Sequence, residues 1–202
     1  MNDAAIKIAR RLREAGHVAY FAGGCVRDLV RGVTPQDYDI ATDAPPGTVQ
    51  HLFPRTVAVG AQFGVILVLE GEQQFEVATF RSDEAYLDGR HPSNVRYGTP
   101  EEDARRRDFT INGLFQDPLT GEVIDFVGGR ADIQWHVVRS IGDPHKRFGE
   151  DKLRLLRCVR LAANLDYLIE PDTFAAVREM APEIHVVSAE RIRDEQIGRA
   201  HV

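Results

Sequence analysis

The apolar positions in the first two thirds of the chain follow two different periods. Ile6, Ala9 and Leu12 recur at helical spacing, so residues 1–15 are predicted to be helical. The runs GVILVLEG and QQFEVATFR favour a pair of strands linked at Gly71. Shorter segments predict strands at HVAYFAGG and DYDIAT and helices at CVRDLVRG and PPGTVQHLF. This alternation predicts an α/β (α+β) domain with a mixed sheet.

The pattern changes near Val138. Before it, residues 82–100 predict a loop, and RDFTINGLFQDPLTGEVIDF predicts a helical turn and two short strands. After it, helices are predicted at GEDKLRLLRCVRLAANL, PDTFAAVREMA and SAERIRDE, with no further strand. We therefore predict a mixed α/β domain over residues 1–137 and the start of an all-helical one over residues 138–196.

Composition narrows the class of protein without naming a function. Of the 202 residues, 43% are hydrophobic and 28% are charged, as in ordinary globular proteins. No apolar run approaches the roughly 20 residues of a membrane span, and the N-terminus lacks a signal-peptide core, so we expect a cytoplasmic protein without a membrane partner. Cys25 and Cys158 have no ligand spacing around them and are predicted to be reduced, partly buried thiols. The formal net charge of −6 argues against a uniformly basic surface.

Two carboxylates in DYDIAT point to chemistry. Asp37 and Asp39 would lie on one face of a strand, about 7 Å apart, where they repel each other. Divalent cations between them would remove that repulsion, and Mg²⁺ suits carboxylates combined with substrate phosphates. A third carboxylate could come from Glu76 on a neighbouring strand, although a surface glutamate explains that position equally well. An isolated D-x-D is far more often a solvated strand edge than a metal site.

The residues just before these aspartates change that balance. Gly23 and Gly24 end a strand and precede a helix, where backbone N–H groups can face an anion. Arg27 lies one turn into the helix and could bind phosphate oxygens bidentately. The combination predicts a triphosphate-binding turn beside a two-metal site. Both a nucleotidyltransferase and a phosphatase or nuclease fit this pattern.

A basic cluster in ARRRDFTINGLF is the next candidate. Arg107, Asp108 and Asn112 form a polar set within an otherwise aromatic and apolar run. We interpret them as phosphate or ribose contacts. The alternative is a solvated basic turn.

The segment GEDKLRLLRCVRLAANL could read a nucleotide base. Asp151 and Arg154 are spaced to share one helix face, with Arg157 and Arg160 near it. A carboxylate only accepts hydrogen bonds and a guanidinium only donates them. Such a pair would accept cytosine and adenine and reject uracil and guanine, whose edges have the opposite polarity. The ordinary alternative is a surface salt bridge.

Several motifs together resemble one known family. GGCVRD, DYDIAT, RRDFTINGLF, GEDKLRLLRCVRLAANL and SAERIRDE follow the order and spacing seen in bacterial class II tRNA nucleotidyltransferases and the related poly(A) polymerases. The resemblance implies a polymerase-beta-type catalytic head and a helical neck. It also implies Mg²⁺-dependent transfer of CMP and AMP from CTP and ATP onto the 3′ end of tRNA, building CCA without a template.

The resemblance also implies a role for each motif residue. The metal-binding and catalytic carboxylates would be Asp37, Asp39 and Glu76. The nucleotide and triphosphate would contact Gly23, Gly24, Arg27, Arg107, Asp108, Asn112, Asp151, Arg154, Arg157 and Arg160. RSDEAYLDGRHPSNV resembles the family's flexible loop, in which Asp88 and Arg90 would couple nucleotide choice to conformation.

Two questions stay open at this level. A poly(A) polymerase or an enzyme that adds only the terminal A shares these motifs, and an inactive RNA- or nucleotide-binding fragment is a further alternative. The last six residues, IGRAHV, match one reading frame of a common sequencing-library adapter. We hypothesise that residues 197–202 are a non-native tail on a truncated product whose neck continues in the natural protein.

Overall fold

The computed structural model describes residues 2–60, 64–83 and 95–197. The helices are α1 (Asp3–Glu14), α2 (Gly24–Val30), α3 (Pro46–Leu52), α4 (Pro100–Arg105), α5 (Gly129–Gln134), α6 (Pro144–Glu150), α7 (Leu153–Leu165), α8 (Pro171–Met180) and α9 (Ala189–Ile197). The strands are β1 (Ala19–Ala22), β2 (Asp39–Thr42), β3 (Thr56–Gly60), β4 (Val65–Glu70), β5 (Gln73–Thr79), β6 (Arg81–Asp83), β7 (Val95–Tyr97), β8 (Leu114–Gln116), β9 (Val123–Asp125), β10 (Val137–Val138) and β11 (Leu168–Ile169). Short 3₁₀ turns occupy Thr110–Asn112 and Ala181–Val186.

The main sheet is mixed, as the sequence predicts. Within the described residues, seven strands pair in the order β3-β4-β5-β2-β1-β8-β9. Only the β2–β5 pair is parallel, with Ile40 opposite Val77; the other neighbours in this sheet are antiparallel. The predicted β4–β5 hairpin is confirmed, and Gly71 in its turn has φ +63°.

The two faces of the sheet are packed very differently. One face forms the large core, where Ile8 and Leu12 of α1 pack with Phe21, Ile40 and Val77. Because side chains alternate along a strand, the next residues face the opposite side. That side holds a smaller buried cluster of Ala22, Ala41, Phe80, Ala104 and Phe115.

The helical part begins with α6 and α7. The sequence predicts one continuous helix over residues 149–165, which covers the last two residues of α6 and all of α7. That prediction is wrong, because the chain is extended at Asp151 (φ −152°, ψ 109°) and a new helix starts at Leu153. The Asp151 side chain accepts a hydrogen bond from the Leu153 N–H, a local alternative to helical bonding that favours a break. Leu155, Cys158 and Ala162 form the buried stripe of α7.

Two strand pairs were also missed. Within the predicted loop at 82–100, β6 and β7 pair antiparallel, with Arg81 opposite Tyr97. Beyond Val138, β11 pairs in parallel with β10, across the predicted domain boundary, which stays a prediction. Strands of two or three residues are too short to show a period, so only tertiary pairing reveals them.

The structure bears on two predictions from composition, namely the state of the cysteines and the absence of a membrane span. Cys25 and Cys158 are both free thiols, and both are buried rather than partly buried. Burial raises the pKa of each thiol to about 12. Of the helices that the structure describes, none is long and apolar enough to cross a membrane.

Candidate active site

A sharp turn at Gly23 brings three separate parts of the chain together. Gly23 has φ +73° and precedes α2, so the chain reverses there between β1 and the helix. A Cβ atom at this position would lie 3.1 Å from Nη1 of Arg107 and 3.9 Å from Oδ2 of Asp39. The backbone angle favours glycine, and a side chain here would also crowd Arg107. A turn, a carboxylate and a guanidinium meet at this point.

The predicted metal-binding carboxylates lie at the adjacent end of β2. Asp37 and Asp39 are exposed; β2 starts only at Asp39, so Asp37 lies just before the strand and not within it. Ile40 and Val77 are paired across the parallel strands β2 and β5, so the same register places Glu76 beside Asp39. Glu76 is also exposed. These three carboxylates therefore belong to one edge of the sheet.

The donor chemistry of this edge fits Mg²⁺ bound together with phosphate. In residues 2–60, 64–83 and 95–197, no group of three or more His, Cys, Asp or Glu side chains lies close enough to hold a metal ion by itself. Mg²⁺ commonly takes one or two protein carboxylates and completes its octahedron with water and substrate phosphates. The exposed pair Asp37 and Asp39 supplies donors of that kind.

Arg27 is fixed beside the turn by two partners. Its side chain is largely buried, and its Nη2 group lies 2.9 Å from an oxygen of Asp28. Nη1 donates to Oδ1 of Asn112 at 3.0 Å. A Cβ atom on Gly24 would lie 3.7 Å from Nη2, so the guanidinium lies against the start of α2. The structure thus brings together the predicted residues Arg27, Gly24 and Asn112.

Arg107 forms an ion pair with a carboxylate that the sequence interpretation missed. Asp103 of α4 is only 2% exposed and accepts from Nη2 of Arg107 at 2.9 Å and from Nε at 3.2 Å. Arg106 forms a second ion pair with the same carboxylate at 2.7 Å. Burial raises the pKa of Asp103, but the two guanidinium groups outweigh it and hold that pKa below its ordinary value. Arg107 also lies over the ring of Phe115, 5.2 Å from its centroid.

Asp108, the next residue, faces the helical part instead. Its Oδ2 accepts from Nε of Arg157 at 2.8 Å, and its Oδ1 accepts from the Phe109 N–H at 2.8 Å. Burial raises the pKa of Asp108, but its partners, chiefly Arg157, lower that pKa by a larger amount. The net pKa is therefore below the ordinary value. The charge of Asp108 correspondingly raises the pKa of Arg157. The pair joins the sheet domain to α7.

Asp151 and Arg154 do not share a helix face, so that prediction is wrong. Asp151 precedes α7 and accepts from Nη2 of Arg191 at 2.8 Å. Arg154 donates from Nη1 to Oε2 of Glu150 at 2.5 Å and to the Arg147 carbonyl at 2.9 Å. The two residues remain neighbours, because the Arg154 N–H donates to the Asp151 carbonyl at 3.1 Å.

Helix α9 contacts this segment at two points. Besides the Arg191–Asp151 pair, Nε of Arg160 donates to Oε1 of Glu195 at 2.7 Å. Arg191 and Glu195 were not identified from sequence, because their partners are far away along the chain. The predicted loop residues Asp88 and Arg90 lie outside the described residues.

Comparison with known proteins identifies the class to which this fold and site belong. Residues 19–139 match the family model described as the poly(A) polymerase head domain, and residues 166–197 match one described as a probable RNA- and SrmB-binding site of polymerase A. The chain belongs to the poly(A) polymerase head-domain family. The resemblance found from the motifs is thereby confirmed.

Two of the proteins most similar to this chain in sequence are CCA-adding enzymes. That of Bacillus subtilis (strain 168) is 45% identical over 188 residues, which are 93% of this chain and 47% of the relative. That of Streptococcus suis (strain 05ZYH33) is 43% identical, with 93% and 46% covered. The chain spans about half the length of the curated relatives it matches.

Solved structures of similar fold also come from CCA-adding enzymes and tRNA nucleotidyltransferases. The Bacillus stearothermophilus CCA-adding enzyme in complex with CTP superposes with a TM-score of 0.88 at 38% identity, covering 96% of this chain and 47% of that one. A tRNA nucleotidyltransferase complexed with a primer tRNA and an incoming ATP analog gives a TM-score of 0.71 at 26% identity, covering 87% and 50%.

Proposed function

We propose that this protein transfers CMP and AMP from CTP and ATP to the 3′ end of tRNA, adding or repairing CCA without a template. The observation that carries the proposal is the meeting of Gly23, Asp39 and Arg107 at one turn. The similarity to CCA-adding enzymes supports the same substrates. We further propose that the reaction takes place in the cytoplasm, where mature tRNA is used.

The sheet edge would carry the phosphoryl transfer. Asp37 and Asp39 would hold Mg²⁺, with Glu76 as the third carboxylate beside them. Mg²⁺ in such a site lowers the cost of the negative charge that develops on the attacking and leaving oxygens. The primer 3′-oxygen would form a bond to the α-phosphorus as its proton passes to water, the α–β phosphoanhydride bond would break, and pyrophosphate would leave.

The turn and its two arginines would hold the triphosphate. Gly23 and Gly24 present backbone to the phosphates without a side chain in the way. Arg27 and Arg107 bind phosphate oxygens and stabilise the departing pyrophosphate, because a fixed guanidinium needs no reorganisation when charge develops. Asn112 supports both arginines, since its Oδ1 accepts from Arg27 and its carbonyl accepts from Arg107 at 3.4 Å.

The start of α7 would choose the base. Asp151 offers only acceptors and Arg154 only donors, which matches cytosine and adenine and opposes uracil and guanine. Arg191 and Glu150 hold these side chains, so the pair is ordered before the nucleotide binds. Arg157 and Arg160 extend the basic surface beside it, and Asp108 anchors Arg157. In the family's flexible loop, Asp88 and Arg90 would couple base choice to conformation.

A chimera tests the proposal directly. Residues 1–196 replace the matching part of the Bacillus subtilis relative, so that the rest of that enzyme supplies tRNA binding. The chimera is incubated with Mg²⁺ and tRNAs that end at the discriminator base, at -C or at -CC, with CTP and ATP given separately. We expect CMP on the first two substrates and AMP on the third.

Other outcomes of that experiment identify the alternatives. AMP added only to the -CC substrate would indicate an enzyme that adds the terminal A. Long runs of AMP on any RNA end would indicate a poly(A) polymerase. No incorporation by a folded chimera would contradict the proposal and favour a nucleotide- or RNA-binding protein.

A further inference from the structure

Asp103 accepts hydrogen bonds from three residues in two parts of the sheet domain. It lies in α4, is 2% exposed, and has no assigned role in the site described above. Its Oδ2 accepts from Nε and Nη2 of Arg107. Its Oδ1 accepts from Nε of Arg106 at 2.9 Å and from the Arg81 backbone N–H at 3.3 Å. A carboxylate buried to this extent is retained only when such partners compensate for lost hydration.

The contact with Arg107 fixes which end of the guanidinium reaches the site. A single oxygen of Asp103, Oδ2, accepts from both Nε and Nη2, so the carboxylate occupies that edge of the guanidinium. The remaining nitrogen, Nη1, is the atom 3.1 Å from a Cβ built on Gly23. Phe115 supports the flat face of the guanidinium from one side. Rotation of Arg107 away from the turn would break both of these hydrogen bonds.

The same carboxylate connects this arginine to the strand pair β6–β7. Arg81 begins β6, and its N–H bonds to Asp103. On the same helix, Glu102 pairs with Arg96 of β7 at 2.9 Å and caps α4 through Thr99. Two acidic residues of α4 therefore hold both strands, while one of them also holds Arg107.

We propose that Asp103 is a positioning residue that orients Arg107 toward the phosphates of the bound nucleotide. It also couples that orientation to the position of the β6–β7 strand pair. The proposal rests on the proposed function in one respect, namely that Arg107 contacts the triphosphate. Asp103 itself touches no phosphate, since a carboxylate would repel it. Its effect on nucleotide binding passes through Arg107.

The test is a double-mutant cycle in which titration calorimetry measures CTP binding by the 202-residue chain in the presence of Mg²⁺. The variants are R107A, D103N and the double variant, with E101Q as the matched control. Glu101 lies on the same helix and pairs with exposed Arg105, away from the turn. We expect R107A to weaken CTP binding about 10-fold or more and D103N about 3- to 10-fold, as for lost charge-assisted contacts.

The double variant tests whether Asp103 affects CTP binding through Arg107. If Asp103 acts through Arg107, D103N adds no further loss in the R107A background. Equal losses in both backgrounds would overturn the inference, and so would CTP binding by D103N as tight as in the unsubstituted chain. If R107A binds CTP normally, or the unsubstituted chain does not bind it, the proposed function itself is contradicted. E101Q should bind CTP unchanged.

D103E provides a second variant if D103N does not fold. It keeps the negative charge but moves the carboxylate by one methylene group, so the paired contact of Oδ2 with Nε and Nη2 is displaced while ion pairing remains. We expect weaker CTP binding in the native background and no additional loss with R107A. CTP binding by D103E as tight as in the unsubstituted chain would overturn the inference.

Discussion

The two halves of the candidate site are organised by different forces. At the sheet edge, Asp37, Asp39 and Glu76 are exposed and are placed by strand geometry. At the start of α7, four predicted nucleotide-contacting residues each have a charged partner on α9, on α6 or, for Arg157, in the segment after α4. Those pairs are Asp151–Arg191, Arg154–Glu150, Arg157–Asp108 and Arg160–Glu195.

The difference indicates how each half performs its part. Exposed carboxylates at and just before the start of a strand could bind a cation and phosphates that arrive together. The proposed base-reading side chains would need to keep one orientation, and charged partners supply that constraint at the cost of side-chain entropy. Substitutions at the sheet edge should therefore reduce turnover, whereas those at α7 should alter base choice or stability.

Asp39→Asn should give the largest effect. The chimera is expected to lose CMP and AMP incorporation by about 10²–10³-fold or more, the range seen when one electrostatic stabiliser is removed. Thermal unfolding should stay unchanged, because Asp39 is exposed. Glu72→Gln, in the exposed β4–β5 turn, is the control that should keep full activity. Undiminished incorporation by Asp39→Asn would exclude this edge as the catalytic centre.

Asp151→Asn should change base choice more than turnover. An amide can donate as well as accept, so it can face the carbonyl of uracil that a carboxylate repels. We expect discrimination against UTP in the chimera to fall about 10- to 100-fold, the equivalent of one charged hydrogen bond. The control substitution Asp172→Asn on α8 should leave the discrimination against UTP unchanged. Continued exclusion of both UTP and GTP would show that Asp151 does not read the base.

Asp108→Asn tests the junction between the halves. We expect a loss of about 2 kcal/mol in the free energy of unfolding at pH 7, because Arg157 loses its charged partner. The folded pKa of Asp108 is depressed, so its stabilisation is present above the unfolded pKa of about 3.9 and is lost as pH falls through the folded pKa. Urea unfolding between pH 7 and pH 2 should show a smaller acid loss in the variant. Parallel curves would contradict this account.

Arg160→Met should have the smallest effect. Its partner Glu195 lies on α9, and partly exposed ion pairs contribute about 0.2–1 kcal/mol. Hydrogen exchange should speed up in α9 while the sheet domain is unaffected. Arg178→Met, at an exposed position on α8, is the matched control. Faster exchange in β1 and β2 would show that the two halves are not independent.

The helices and strands with a clear period were predictable. The β1–α2–β2 order, the β4–β5 hairpin and the alternation of exposed and buried positions around Asp39 and Glu76 follow from local patterns. The break at Asp151 was not predicted, because the residues on both sides of it are helical and a single side chain redirects the backbone between them. The short strands β6, β7, β10 and β11 carry too few residues for a pattern.

The sequence by itself determined the mixed domain, the glycine turn and the aspartate pair, because each depends on residues close together in the chain. Only the tertiary structure decided the partners of the charged groups. Asp108 meets Arg157 across 49 positions and Asp151 meets Arg191 across 40, whereas sequence spacing predicts pairs only three or four residues apart. The same limit hid Asp103, whose importance comes from its burial. An ion pair depends on distance in space, and that distance is set when the helices pack on the sheet.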